Sequence, residues 1–194
     1  LTVCAILVEN DFSRPDLESE INWIVDACNV APAIGCDAIR INPPMGIQEG
    51  ISEQDYVKTT VQCCRKILDR TRGTGVSLAM ENHGLMGNRP EFLRAVMDGV
   101  NSDRMGLTLD TGNLFWYGHP WEKGYQIIEH FADRVKHAHI KSVSFPEDRR
   151  NAIRKPGEGW PGSAATIYEG DVDMKRIVQV LRAAGYEKDL TLED

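Results

Sequence analysis

No stretch of the 194-residue chain approaches the ~20 continuous apolar residues that a membrane-spanning helix needs, and no basic segment leads into an apolar run and a small-residue cleavage site. A membrane partner is not expected, and a cytoplasmic location is. The sequence begins at Leu1 rather than Met, which points to processing or truncation upstream. Positive charge is scarce: 22 Lys and Arg stand against 29 Asp and Glu, for a net charge of −7. That field repels nucleic-acid phosphates and anionic lipid, so no nucleic-acid partner is expected either. The five cysteines (Cys4, Cys28, Cys36, Cys63, Cys64) are odd in number and lack a framework spacing, which excludes a disulfide scaffold and predicts reduced core thiols. A glycine-rich phosphate loop is missing after the first apolar run, which counts against a nucleotide-binding sheet.

What is present is an alternation. LTVCAILVEN reads as a buried strand, and Leu17, Ile21, Ile24, Cys28 and Ala31 then recur at helical spacing until Pro32 and Gly35. The cycle repeats with strand CDAIRINP, a helix from about Ser52 to Arg72, strand VSLAMENHG, and a helix opening at Pro90 with Phe92, Val96 and Val100 on one face. Strand MGLTLDTGN, a helix from Trp121 to Asp133 and strand VKHAHIKSV follow. A long polar loop then leads to a helix capped by Asp171 and ended by Gly185, and to a buried last strand, LTLED. With 42% hydrophobic residues, the chain is expected to build one core and one domain over 1–194. Strict alternation predicts an α/β fold with a parallel sheet, either a closed barrel or an open doubly wound sheet. Six strands are two β/α units short of an eight-stranded barrel. The deficit is expected upstream of Leu1, with a covering helix due after Asp194.

Glu81, Asp110, His139 and Glu193 each sit at the C-terminal end of one apolar run. Parallel β/α folds gather their active sites at that edge, from several strands at once. Three carboxylates and an imidazole form the ligand set of a divalent metal, and without a thiolate they favour Mn²⁺, Mg²⁺ or Co²⁺, with Zn²⁺ also admissible. Strand alternation puts His83 on the face of Glu81 and His137 on the face of His139. Lys141 lies two residues beyond His139 on that same face. Arg40 points inward on CDAIRINP, where a buried arginine requires an anionic or carbonyl partner, in the substrate or in a structural salt bridge. The segment 141–155 holds Lys141, Arg149, Arg150, Arg154 and Lys155 against Glu147 and Asp148. It is either a solvated loop or an attractor for substrate phosphate or carboxylate. Trp116, Tyr117, Trp121 and Trp160 are candidates for a wall against a sugar ring or for ordinary packing.

In AMENHG, LTLDTGN, HAHIK and the closing GDVDMKRIVQVLRAAGYEKDLTLED, the chain resembles the xylose-isomerase-like TIM-barrel superfamily of sugar phosphate isomerases and epimerases. The resemblance implies a parallel (β/α) TIM-type barrel, here short of its first two β/α units and its last helix. It also implies one divalent metal on Glu81, Asp110, His139 and Glu193. Asn113 stands where ketose epimerases of the superfamily often carry a histidine, and Phe145 where they carry an arginine. His83, Asn113, Lys141, Arg40 and His137 are therefore the candidate substrate-binding residues.

The expected reaction is isomerisation or epimerisation of a sugar or sugar-like polyol through a metal-stabilised enediolate, with Glu81 and Glu193 as the acid/base pair. Dehydration of a keto-polyol uses the same set, and a non-catalytic sugar- or partner-binding domain is the third reading. A homodimer is expected if the chain as given is the whole protein, because an incomplete barrel leaves open strand edges.

Overall fold

The computed structural model describes residues 2–193. By its internal contacts the chain forms two compact units, Leu1–Thr108 and Leu109–Asp194.

In the first unit, β1 (Ile6–Leu7) leads to α1 (Leu17–Val30), whose first turn is capped by the Asp16 carboxylate accepting from Ser19 N. The predicted stop holds: a single 3-10 turn, Ala31–Ile34, carries Pro32 at its start and ends on Gly35 at φ 72°. Then come β2 (Ala38–Ile41), α2 (Glu53–Arg70), β3 (Ser77–Glu81), the short α3 (Gly84–Gly87), α4 (Pro90–Val100) and β4 (Met105–Asp110). A reciprocal capping box between Ser52 and Asp55 fixes the start of α2, and Pro90 opens α4 as expected. The α2 stripe facing the core is Tyr56, Thr60, Cys63, Cys64, Ile67 and Leu68. Each fully buried Ile or Leu among them contributes roughly 1.5–3 kcal/mol through removal from water. The cysteines are free thiols, as predicted. Burial pushes Cys28 and Cys63 up to about 11, and raises Cys64 still further.

The first apolar run departs from expectation. Only Ile6 and Leu7 pair, with Ile39 and Arg40 of β2, and Leu7 and Val3 are exposed. Among the described residues the strand pairs with β2 alone, so it stands at an edge of the sheet, with fewer neighbours to cover its side chains.

In the second unit, α5 (Asn113–Tyr117), α6 (Trp121–Phe131), β5 (Val135–Ile140), β6 (Ser142–Val143), α7 (Glu147–Arg150), β7 (Ala164–Ala165), α8 (Met174–Ala183) and β8 (Thr191–Leu192) follow β4. The loop predicted after β5 is in fact an antiparallel ribbon, β6 with β7, closed by a long excursion. Asp173, not Asp171, caps α8, by accepting from Arg176 N at 2.9 Å. Asp171 instead accepts from Ser144 Oγ and Phe145 N and pairs with Arg150, tying down the base of the ribbon. The last strand is also less buried than predicted: Leu192 is 59% exposed, since two residues of β8 pair only with β5.

The ladder order is β1-β2-β3-β4-β5-β8, with parallel pairing in β1–β2, β2–β3, β3–β4 and β5–β8. These are six strands of a TIM-type barrel with their connecting helices. No helix among the described residues is long and apolar enough to cross a membrane.

Candidate metal and substrate site

Within the first unit, parallel register brings the C-terminal residues of β2 and β3 to one edge, where Ile41 faces Met80. Glu81, the last residue of β3, is 2% exposed, and its register partner Thr108 lies two residues before Asp110 on β4. A carboxylate so buried needs a countercharge. Arg40 supplies it, with both Nε and an Nη against Glu81 Oε2. Arg40 also reaches Glu9 Oε1 at 3.2 Å. Of the two partners expected for Arg40, the structural carboxylate is therefore present.

His83 lies beside this pair as strand alternation predicted. Its Nδ1 is 3.3 Å from Arg40 Nη2, 3.2 Å from Asn42 Oδ1 and 4.0 Å from Glu81 Oε2. That nitrogen can accept from Arg40 or donate to Asn42, and the choice decides whether Nε2 donates or accepts. Asn10, which sequence reasoning overlooked, clamps Asn42 in place. Asn42 N donates to Asn10 Oδ1 at 2.8 Å, and Asn10 Nδ2 donates back to Asn42 O at 3.0 Å. A lone asparagine after an apolar run gives no periodic signal by which it could have been found.

In the second unit, Asp110, His139 and Glu193 each offer a ligand atom, and these atoms lie within 4.8 Å of one another. Asp110 is fully buried. Its Oδ1 accepts the amides of Gly112 and Asn113, both at 2.8 Å, so the DTGN turn aims the carboxylate and Asn113 enters through its backbone. Oδ2 faces the Lys141 ammonium at 3.2 Å. Thr111 Oγ1 donates to Lys141 O at 2.6 Å and accepts from Lys141 N at 2.8 Å, so the turn after β4 is locked to the residue after β5. A Cβ on Gly112 would stand 2.9 Å from Lys141 Cγ, so a bare backbone there makes room for the lysine stem.

His139 is 2% exposed, and its Nδ1 is 3.2 Å from Glu193 Oε2. His137 is equally buried and meets His139 edge to face, with ring centroids 4.9 Å apart. Glu193 is placed by its own amide, which donates to Ile140 O at 3.1 Å, while its side chain is 51% exposed. Its Oε1 lies 3.4 Å from Lys141 Nζ. Burial works to lower the Lys141 pKa, but Asp110 and Glu193 together outweigh it and hold the ammonium above its ordinary 10.5. Carboxylate oxygens converging on an imidazole around a positive charge suit a hard or borderline divalent ion.

Glu193 and Lys141 also line a cavity of about 420 Å³, together with Ser142, Trp160, Ala164, Ala165 and Thr166. Of the other candidate aromatics, Trp121 serves packing: it meets Phe115 edge to face at 4.0 Å and Phe145 at 6.3 Å. Of the two readings of the segment 141–155, a solvated loop or a basic attractor, the second is weakened because its three arginines are committed. Arg154 is buried, donates to Phe115 O and His119 O, and lies over the Phe145 ring at 3.8 Å. Arg149 pairs with Glu158, and Arg150 with Asp171. Desolvating a guanidinium demands such partners, and the partners lie too far along the chain to be read from spacing.

Comparison with known proteins identifies the fold family. A sequence profile described as Xylose isomerase-like TIM barrel matches residues 1–194. An inosose dehydratase of Lacticaseibacillus casei is 25% identical over 123 residues, which is 61% of this chain and 40% of that protein. The match thus spans less than half of that curated relative. A xylose isomerase-like TIM barrel protein from Mycobacterium smegmatis, solved in complex with magnesium, superposes with TM-score 0.80 at 17% identity, covering all of this chain and 66% of the other. The IOLI protein, solved with a bound zinc atom, superposes with TM-score 0.74 at 16% identity, over all of this chain and 66% of that one. The chain belongs to the xylose isomerase-like TIM barrel family.

Proposed function

We propose that this chain carries the metal- and substrate-binding edge of a divalent-metal-dependent isomerase or epimerase acting on a sugar or sugar-like polyol. The observation that carries the reading is the convergence of Asp110, His139 and Glu193 donors within 4.8 Å, with Glu193 also lining a cavity large enough for a monosaccharide. Glu81, on the strand preceding Asp110, is the fourth ligand in this proposal. Mn²⁺, Mg²⁺, Co²⁺ and Zn²⁺ suit the donor set, and structural relatives hold magnesium and zinc.

When bound, such an ion polarises a carbonyl and its neighbouring hydroxyl, making the adjacent C–H acidic. The chain's own residues do the rest. Glu193, half-exposed and held by the β5 ladder, takes the proton, and Glu81 is the second acid/base group. Return of the proton to the other face of the same carbon gives epimerisation, and return to the neighbouring carbon gives isomerisation. Lys141 donates a hydrogen bond to the oxygen that gains negative charge. His83 and Asn113 contact substrate hydroxyls. Arg40 orients Glu81, and His137 supports His139.

A second reading, loss of water from a keto-polyol, is favoured by the likeness to an inosose dehydratase. Mass analysis of products from a panel of ketoses and keto-cyclitols, with Mn²⁺ or Mg²⁺ supplied, separates the two. An isomer of unchanged mass supports the first reading, and a product lighter by one water replaces it with the second. Absence of conversion across the panel by metal-loaded protein contradicts both.

A further inference from the structure

The cavity bordered by Lys141 and Glu193 has a second wall that the proposed chemistry does not use. β6 and β7 pair antiparallel, Ser142 with Ala165 and Val143 with Ala164, and the excursion between them returns Trp160 to the cavity. Trp160 is 41% exposed and lines this concavity, whereas Phe115, Trp121, Tyr125, Phe131 and Phe145 of the same unit are buried. Beside it stand two methyl groups, Ala164 and Ala165, and the Thr166 side chain. An indole and small apolar groups lining one cavity with a carboxylate and an ammonium suit a ring with an apolar face and a hydroxylated rim.

Charge narrows the class further. Among the described residues, Lys141 is the one cation lining this cavity, and its ammonium already faces Asp110 and Glu193. Arg149, Arg150 and Arg154, close in sequence, are directed to Glu158, Asp171 and the Phe115 and His119 carbonyls. A phosphate ester entering here would bring a charge of about −2 against Glu193, with its hydration lost and no uncommitted guanidinium among the cavity's lining residues to replace it.

We infer that the Trp160 cavity selects an uncharged, non-phosphorylated polyol ring, with the indole stacked on its apolar face as the specificity-determining contact. The inference rests on the reading of Asp110, His139, Glu193 and Lys141 as the reaction site, and it fails separately from that reading.

The test is equilibrium binding to the full chain, with and without MgCl₂, by ligand-observed NMR. The probes are myo-inositol, D-fructose, D-fructose 6-phosphate and inorganic phosphate, applied to wild type, Trp160→Phe and Trp160→Ala. At least one neutral probe is expected to bind ten-fold or more tighter than D-fructose 6-phosphate. Trp160→Ala is expected to weaken that probe at least ten-fold, and Trp160→Phe by less than three-fold, since a phenyl face still stacks. Tighter binding of the phosphorylated probe, binding of no probe, or unchanged affinity in Trp160→Ala overturns the inference. Neutral-probe binding without turnover of any sugar would discard the catalytic reading and leave this selectivity standing. Turnover of a phosphorylated ketose would do the reverse.

Discussion

The ammonium of Lys141 lies 3.2 Å from Oδ2 of Asp110, a carboxylate with no solvent exposure. The other oxygen of that carboxylate is taken by two backbone amides. One aspartate thus caps the turn through Oδ1 and turns Oδ2 to the Lys141 ammonium.

Removing the cation should expose this arrangement. In Lys141→Met, Asp110 and Glu193 lose their shared positive charge, and the buried one cannot recover hydration. The metal-free variant should lose about 2 kcal/mol of stability. Added Mn²⁺ or Mg²⁺ should restore more stability to the variant than it adds to wild type, because ammonium and ion draw on the same oxygens. Chemical denaturation with and without the ion measures both effects. Equal metal responses in the two proteins would show that Lys141 and the ion do not share these ligands.

Glu193→Gln should separate chemistry from folding. The side chain is half-exposed, and its position is set by the backbone hydrogen bond to Ile140, which the substitution leaves intact. The melting temperature should move little, while turnover of any substrate found should fall by about 10²–10⁴, the usual worth of a positioned acid/base group. Wild-type turnover in the variant would remove Glu193 from the mechanism.

Asp11 gives a pH signature in the first unit. Partial burial works to raise its pKa, but hydrogen bonds from the Ser13 hydroxyl and from the Met45 and Ser13 amides outweigh that and hold it below its ordinary 3.8. A carboxylate depressed on folding contributes stability that is fully present above its unfolded pKa and is lost as pH falls through the folded value. Asp11→Asn should therefore be less stable than wild type near neutrality, with the gap closing below pH 3.8. Urea midpoints across the acid range test this. A gap that stays constant with pH would assign the effect to geometry instead of charge.

Gly118, which ends α5, lies against the backbone of Arg154 in the excursion between β6 and β7. At φ 102°, a Cβ there would stand 2.2 Å from the Arg154 carbonyl oxygen, a backbone atom that cannot swing aside. Gly118→Ala should cost about 2–4 kcal/mol. Thermal unfolding reports it, and a neutral result would mean that the loop relaxes without cost.

Much of the site was legible because it lies on strand ends, where a local period of two fixes the direction of each side chain. Glu81 and Asp110 close β3 and β4, His139 is one residue from the end of β5, and Glu193 follows β8. What escaped depends on partners distant in sequence. Arg40 is settled by Glu81, 41 residues away, and Arg154 by Phe115, 39 residues away. The β6–β7 ribbon, with two residues per strand, is too short for periodicity to register. The shallow burial of β1 and β8 follows from how many strands flank each, which an apolar run cannot reveal.

The most direct test of the central claim is metal content after purification, joined to an EDTA-reversible thermal shift, on wild type and the Asp110→Ala, His139→Ala double variant. The account predicts close to one divalent ion per wild-type chain, a melting temperature that falls with EDTA and returns with Mn²⁺ or Mg²⁺, and neither property in the double variant. A wild-type chain that retains no ion and gains no stability from any divalent cation, or a double variant that binds metal as wild type does, would contradict it.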